Sequence, residues 1–372
     1  MKKVFVVASG IVSGLAPTLE ENWMELLNGR SAIKPVRHFD TSAIDFKLTS
    51  VSAQIREKSP ANLVQEMARQ AILQTGLLPE NTFTIWTGIK GNAQFIESGL
   101  KQDILHLARD YSLWIEKEFS LARGGIEVNA ACASSTAGLA LAAQKIAFGE
   151  QQSVLVCGAD IASRFVHMGF SALKALTPTA ARPFDENRNG LVLGDGACAL
   201  LLTDEQTADQ HGFTKLAQIS GWGISNDANH ITGPARDGVG LILAVQQALK
   251  LAKMANEEVQ AFCAHGTATP YNDGMELTAT ETLFGRRQFP VFSVKGAIGH
   301  TLGAAGGIEA ALSVKALHET KVPPTVGLLN PEERAVGRVS DQIQLFAGEN
   351  ILTTNSGFGG VNAALILNKV VE

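Results

Sequence analysis

The chain has 372 residues, 45% of them hydrophobic and 18% charged, with a formal net charge of −5. This length and core-forming content exclude an intrinsically disordered chain and leave room for two fused halves or one large α/β body. The acidic balance argues against a broad nucleic-acid surface, although 31 basic residues could still form a local patch for an acidic protein partner.

Met1-Lys2-Lys3 and the following VFVVASGIVSGLA have the basic start, apolar run and small residues of a signal peptide. They read instead as a first strand, VFVVA (4–8), running into a Gly/Ser turn. Gly10, Ser13 and Gly14 interrupt the apolar run, and Glu20, Glu21 and Trp23 continue as an amphipathic helix. No uninterrupted apolar run approaches the ~20 residues of a membrane-spanning helix. Four cysteines, at 132, 157, 198 and 263, lack the density and rhythm of a disulfide framework. The expectation is a soluble, cytoplasmic protein in a reducing compartment.

Further strands are expected at FTIWTG (83–88), SVLVCGAD (153–160), LVLGDGACALLLTD (191–204), IQLFAG (343–348) and ALILNKV (364–370). Helical spacing marks 62–76 and 135–149, ending on Gly76 and Gly149. Continuous rather than alternating apolar strands point to sheets covered by helices on both faces. VNAACASSTAGLALAAQKI (128–146) and FSVKGAIGHTLGAAGGIEAALSV (292–314) share an order of strand, small-residue turn and Ala-rich helix. The echo reads either as a duplicated α/β body or as coincidence.

Cys132 sits in AACASS, between a strand and a helix of small residues. A helix N-terminus presents unpaired N–H groups that favour thiolate over thiol, and the small neighbours leave room for an electrophile. The same residue also reads as a buried small hydrophobe. Cys157 and Cys198 lie within apolar strands, and Cys263 has no second ligand pair that would make a zinc site. His265 and His300 both occupy small-residue turns of the C-terminal region, so one pocket could hold both imidazoles. Lys295 and Glu276 read either as surface charges or as a buried pair that orients the histidines. NSGFGGVN (355–362) places Phe358 among glycines, a tight turn that could also offer amide donors to an oxyanion. The glycines of GAIGHTLGAAGG match neither dinucleotide-binding nor Walker fingerprints.

Together AACASS, HGTATPYNDGME (265–276), SVKGAIGHTLGAAGGIEA (293–310) and NSGFGGVN resemble the motifs of the β-ketoacyl-acyl-carrier-protein synthases, the elongating Cys-His-His ketosynthases of the thiolase superfamily. The opening at 8–42, RPFDENRNGLVLGDGA (182–197) and NDANHITGP (226–234) carry the resemblance along nearly the whole chain. It implies an α/β thiolase-like fold of duplicated βαβαβαββ halves in a five-layered α-β-α-β-α body, with halves at 1–205 and 206–372. It implies Cys132 as acyl-accepting nucleophile, His265 and His300 as enolate clamp, and Lys295 paired with Glu276. Thr267 and Thr269 match contacts to a pantetheine arm. Phe358 matches the aromatic gate, its N–H forming an oxyanion hole with that of Cys132, and Phe170 matches an aromatic near the acyl pocket. The implied reaction is decarboxylative condensation of a Cys-bound acyl group with malonyl-acyl carrier protein, in fatty-acid or specialised polyketide or polyene biosynthesis. No cofactor is implied beyond the 4'-phosphopantetheine of the carrier protein. The implied assembly is a homodimer or a heterodimer with a second ketosynthase-like subunit.

Three features depart from the family pattern: a short stretch between TGIKGN (87–92) and Cys132, NSGFGG with one residue fewer, and GDGAC in place of GEGAG. A thiolase would need a second cysteine near the C-terminus, and none follows Cys263. A starter-type ketosynthase would be expected to use Asn where His300 stands. The remaining alternative is a non-catalytic, chain-length-factor-like subunit of a heterodimer.

Overall fold

A computed structural model describes residues 1–42, 44–58, 62–89, 97, 111–122 and 124–370. Ten strands form its central sheet. Five belong to the first half of the chain: β1 (Val4–Ser13), β2 (Phe83–Trp86), β3 (Ile126–Glu127), β4 (Ser153–Asp160) and β5 (Gly196–Asp204). Five belong to the second: β6 (Ala217–Asn226), β7 (Ala261–Cys263), β8 (Val291–Phe292), β9 (Asn350–Gly357) and β10 (Val361–Asn368). Their spatial order is β8-β7-β9-β10-β6-β1-β5-β4-β2-β3. Each half therefore runs third, second, fourth, fifth, first, and the halves join through a two-residue antiparallel contact of β1 with β6. The directions repeat as well. In each half the second strand pairs in parallel with the third and the fourth, while the fifth pairs antiparallel with the fourth and the first.

The helices complete the repeat. The first half contributes α1 (Leu63–Leu73), α2 (Tyr111–Glu118) and α3 (Ser134–Ala147), and α4 (Arg164–Ala172) lies between β4 and β5. The second half contributes α5 (Val239–Ala252), α6 (Pro270–Phe284) and α7 (Ala305–Glu319). Setting aside α4 and the helices Leu19–Leu27, Ala53–Lys58, Glu205–Gln210 and Lys295–Ile298, both halves read βαβαβαββ. Helices α3 and α7 pack on each other and on strands of both halves, whereas α1 covers the outer face of the first half and α5 that of the second. The result is five layers, α-β-α-β-α.

Strands β4 and β5 are buried at every residue, as continuous apolar runs between two helical layers should be. One core cluster joins Leu139 and Ile146 of α3, Ile308 and Leu312 of α7, and Leu200 and Leu365 of the two sheet halves. Burying each such side chain contributes roughly 1.5–3 kcal/mol. Gly76 (φ 71°) and Gly149 (φ 78°) follow the helices at 63–73 and 134–147 in the left-handed conformation that glycine adopts without strain.

Three expected strands differ. The first does not turn after Ala8: β1 runs on through Gly10 to Ser13, paired with β5 along that stretch. The run at 191–204 is broken at Asp195: Leu193–Gly194 joins a small three-stranded sheet, and only Gly196–Asp204 enters the central one. Asp195 accepts N–H bonds from Ser52 and Ala162 and a two-pronged bond from Arg56, which pull the backbone out of register. At 343–348 only Gln344–Leu345 is strand, in a two-stranded ribbon with Lys321–Val322. No helix among the described residues is long and apolar enough to cross a membrane.

Candidate active site

Cys132 lies in the turn between β3 and α3. The preceding Ala131 has a left-handed backbone (φ 49°), which costs an L-residue about 1–2 kcal/mol. The turn is braced by Ser134, whose Oγ accepts from the Ala130 N–H (2.9 Å) and donates to the Ala131 carbonyl (2.6 Å). The glycine-rich turn after β9 packs against it: a Cβ on Gly357 would stand 2.6 Å from the Ala130 carbonyl and 3.2 Å from the Cys132 amide nitrogen. That contact explains the glycine. It also brings Phe358 beside the cysteine, where its ring stacks on Phe170 of α4 with centroids 5.6 Å apart.

Cys132, Phe170, His265, Thr267, His300 and Phe358 line one cavity of about 1070 Å³. Thr269 lines it too; it caps α6 and its hydroxyl lies 2.9 Å from that of Thr267. His265 follows the end of β7. His300 follows the helical turn Lys295–Ile298 and is held by the first half: its N–H donates to the Val192 carbonyl (2.7 Å) and its carbonyl accepts from Gly194 (3.0 Å). The two imidazoles meet edge to face, centroids 5.2 Å apart.

Their hydrogen bonds assign their tautomers. His265 Nδ1 faces the Asn355 amide nitrogen at 2.8 Å and Lys295 Nζ at 3.2 Å, both donors. His300 Nδ1 accepts from the Leu302 N–H at 3.3 Å. With both Nδ1 atoms accepting, the hydrogen of each neutral ring sits on Nε2. Burial holds both imidazoles well below the usual histidine range. The Lys295 charge adds to the effect on each, and His300 adds to it on His265.

The structure corrects one expectation. Lys295 pairs with Glu309 of α7, not with Glu276, and its Nζ also donates to the His265 carbonyl (2.5 Å). The second Glu309 oxygen accepts from Asn355 (2.8 Å), whose amide oxygen accepts from Thr136 of α3. Burial pushes the Glu309 carboxyl up while Lys295 pulls against it. Glu276 acts on the backbone instead. Its two oxygens accept the N–H groups of His265 and Gly266, each at 2.7 Å, and so fix the histidine's main chain. Burial, with the nearby Asp273 charge, pushes its carboxyl up to about 8. Glu309 and Asn355 had a signal in the sequence: Glu309 is the one acid in the apolar stretch IEAALSV, and Asn355 ends the run ILTTN.

The profiles described as "Beta-ketoacyl synthase, N-terminal domain" and "Beta-ketoacyl synthase, C-terminal domain" match residues 119–208 and 216–329. A 3-oxoacyl-acyl-carrier-protein synthase 2 from Vibrio cholerae is 32% identical, over 99% of this chain and 99% of its own. The chain belongs to the β-ketoacyl synthase family. A second synthase of that name, from Coxiella burnetii, is 29% identical over 100% of this chain and 99% of its own. Among solved structures, a β-ketoacyl synthase from Burkholderia phymatum superimposes with a TM-score of 0.88 at 25% identity, covering both chains fully. The ishigamide ketosynthase/chain length factor gives the same score at 27% identity and the same coverage. The five-layered body is thus the thiolase-like fold of ketosynthases. The Vibrio alignment spans 413 positions against 372 residues here, so this ketosynthase lacks segments its relative has. Much of the short stretch before Cys132, residues 90–96 and 98–110, lies outside the described residues.

Proposed function

We propose that the protein is a 3-oxoacyl-acyl-carrier-protein synthase, an acyltransferase that condenses a Cys132-bound acyl group with malonyl-acyl carrier protein and releases CO₂. The observation that carries this reading is the shared cavity of Cys132, His265 and His300, with both imidazoles neutral and hydrogenated on Nε2. A thiolate attacks a thioester carbonyl well where oxygen nucleophiles at neutral pH do not, which suits Cys132 to acyl storage. Loss of CO₂ from a malonyl thioester leaves negative charge on the thioester oxygen. Two preset N–H donors stabilise that charge where it appears. Lys295 and Asn355 keep His265 in its donor tautomer, and Glu276 fixes its backbone.

The amides of Cys132 and Phe358 would hold the oxyanion of acyl transfer, with Phe358 and Phe170 gating the acyl chain. Thr267 and Thr269 would meet the pantetheine arm. The prosthetic group is then the carrier protein's 4'-phosphopantetheine, and the enzyme brings no cofactor of its own. We place the reaction in the cytoplasm, in fatty-acid or specialised polyketide synthesis, catalysed by a homodimer or with a second ketosynthase-like subunit. A chain-length-factor-like role is disfavoured, because the nucleophile and both histidines are present and converge.

The test is intact-mass analysis of the protein incubated with acyl-carrier-protein thioesters of varied chain length, followed by peptide mapping. The expected result is one acyl group, on Cys132. Iodoacetamide should modify the same residue first, since Cys157, Cys198 and Cys263 are fully buried and burial pushes their thiols up. Primary acylation elsewhere would overturn the assignment.

A further inference from the structure

The main chains of the two histidines are held in different ways. Glu276 grips that of His265 directly. That of His300 is gripped by the stretch 192–194: the Val192 carbonyl accepts its N–H at 2.7 Å, and the Gly194 N–H donates to its carbonyl at 3.0 Å. Gly194 and Gly196 lie flat against the same turn. A Cβ on Gly194 would collide with the Ile298 carbonyl, and one on Gly196 with the Thr301 side chain. With backbone on backbone, a displacement of the stretch passes to the His300 turn undamped.

Between these two glycines stands Asp195, fully buried. Its Oδ2 accepts from the Ser52 N–H (3.1 Å) and from Arg56 Nε (2.7 Å), and its Oδ1 from Arg56 Nη2 (2.6 Å) and the Ala162 N–H (2.9 Å). Its own N–H donates to the Ser50 carbonyl at 2.8 Å. Four donors on one carboxylate, two of them from a planar guanidinium fork, leave it a single orientation. The bend at Asp195 is what sets 192–194 on the His300 turn while Gly196–Asp204 joins the central sheet. A carboxylate that only held the fold together would serve both half-reactions alike. This one stands beside the residue that bonds His300, whereas Cys132 lies in the β3–α3 turn, which none of these bonds reaches.

We propose that Asp195, braced by Arg56, is the positioning residue for His300: the pair fixes the bent strand at the place where the His300 Nε2 donor meets the developing oxyanion. This rests on the ketosynthase reading above and adds a residue pair to its decarboxylation step. Asp195 touches no reacting atom and acts only through the main chain of His300.

The experiment measures CO₂ release from malonyl-carrier protein and acylation of Cys132, per folded molecule, in wild type, Asp195→Asn, Arg56→Lys and Arg56→Gln. Asp195→Asn is also placed in the His300→Ala and His265→Ala backgrounds. Misplacing a reacting group by about 1 Å can cost about 10²-fold, so a partial relaxation of the turn in Asp195→Asn should lower kcat for CO₂ release about tenfold. KM and the acylation rate should stay within about twofold of wild type. Because the effect passes through His300, the tenfold loss should persist in His265→Ala and vanish in His300→Ala. Arg56→Lys keeps the charge but not the fork, and should fall between wild type and Arg56→Gln. If Asp195→Asn does not fold, Arg56→Gln takes its place throughout, since it leaves Asp195 its two main-chain donors. Three outcomes would overturn the assignment: normal CO₂ release in both Asp195→Asn and Arg56→Gln, equal losses of CO₂ release and acylation, or an undiminished loss in the His300→Ala background. If wild type itself releases no CO₂ and Cys132 accepts no acyl group, the ketosynthase reading fails and the assignment falls with it.

Discussion

At the scale of single residues the proposed function divides the labour of the site. It assigns acyl storage to the sulfur at position 132 and decarboxylation to the Nε2 donors of His265 and His300, so the two half-reactions should fail independently. Cys132→Ala should abolish condensation and leave CO₂ release from malonyl-carrier protein measurable. His300→Ala and His265→Ala should still accept an acyl group but lose CO₂ release by about 10²–10³-fold, the usual effect of deleting one oxyanion donor. Radiolabelled CO₂ and covalent acylation, measured on each variant, check this; normal CO₂ release with lost acylation in His300→Ala would make His300 the activator of the cysteine. The pH dependence follows from the same geometry. Both histidines titrate well below the ordinary value of about 6.5, so the neutral donor form persists as acid is added. CO₂ release should therefore stay level from about pH 7.5 to 6 and decline only below the ordinary imidazole range, and an acid limb centred near 6.5 would contradict the assignment. Lys295 combines two roles. Removing it strands the Glu309 carboxylate in the interior, so Lys295→Ala should lose about 3–5 kcal/mol of stability as well as CO₂ release. Replacing both partners, as Lys295→Met with Glu309→Leu, should recover much of the thermal stability in melting experiments and none of the decarboxylation.

At the scale of elements, the site depends on how closely α7 approaches α3. Gly306 faces Thr136 and Asn355, and a Cβ there would collide with the Thr136 hydroxyl and the Asn355 amide oxygen. Gly307 faces β5 instead, and its Cβ would lie 2.9 Å from that of Cys198 and collide with the sulfur. Both Gly→Ala variants overpack a core, which costs typically about 1–3 kcal/mol. They should separate by function: Gly306→Ala displaces Asn355 from His265 and slows decarboxylation as well as lowering Tm, while Gly307→Ala lowers Tm and leaves the per-molecule rate near that of wild type. Equal catalytic losses in the two would argue against Asn355 as the residue that positions His265. Legibility in the sequence follows the same physics. The continuous apolar runs of β4, β5 and β10, Val4–Ala8 of β1 and the periodic helices α1 and α3 carry enough pattern to be read directly. Strands β7 and β8, of three and two residues, carry none, and only the motifs beside them betray their places. The convergence of Cys132, His265 and His300 is likewise visible in motifs. The partner of Lys295 is not, because Glu276 and Glu309 both lie on helices, and tertiary packing alone decides which helix turns its acid toward the lysine.

At the scale of the whole molecule, the ten-stranded sheet ends at β3 on one side and β8 on the other, both two-residue strands. A sheet edge with unpaired N–H and C=O groups is a ready template for a second chain, and short edge strands restrain indiscriminate pairing. Strand β3 leads directly into the turn that carries Cys132, so a partner seated along that edge would also brace the nucleophile's turn. Closed two-fold assembly is the commonest symmetry of soluble oligomers. Sedimentation at micromolar concentration should give about twice 39.4 kDa. Dilution toward monomer should lower acylation of Cys132 before it alters the far-ultraviolet spectrum, because the turn loosens before the halves unfold. A stable monomer with full condensation activity would contradict this. A monomer inactive until a second ketosynthase-like chain is added would assign the edge to a heterodimer, and mixing experiments read by mass and by CO₂ release distinguish the two assemblies.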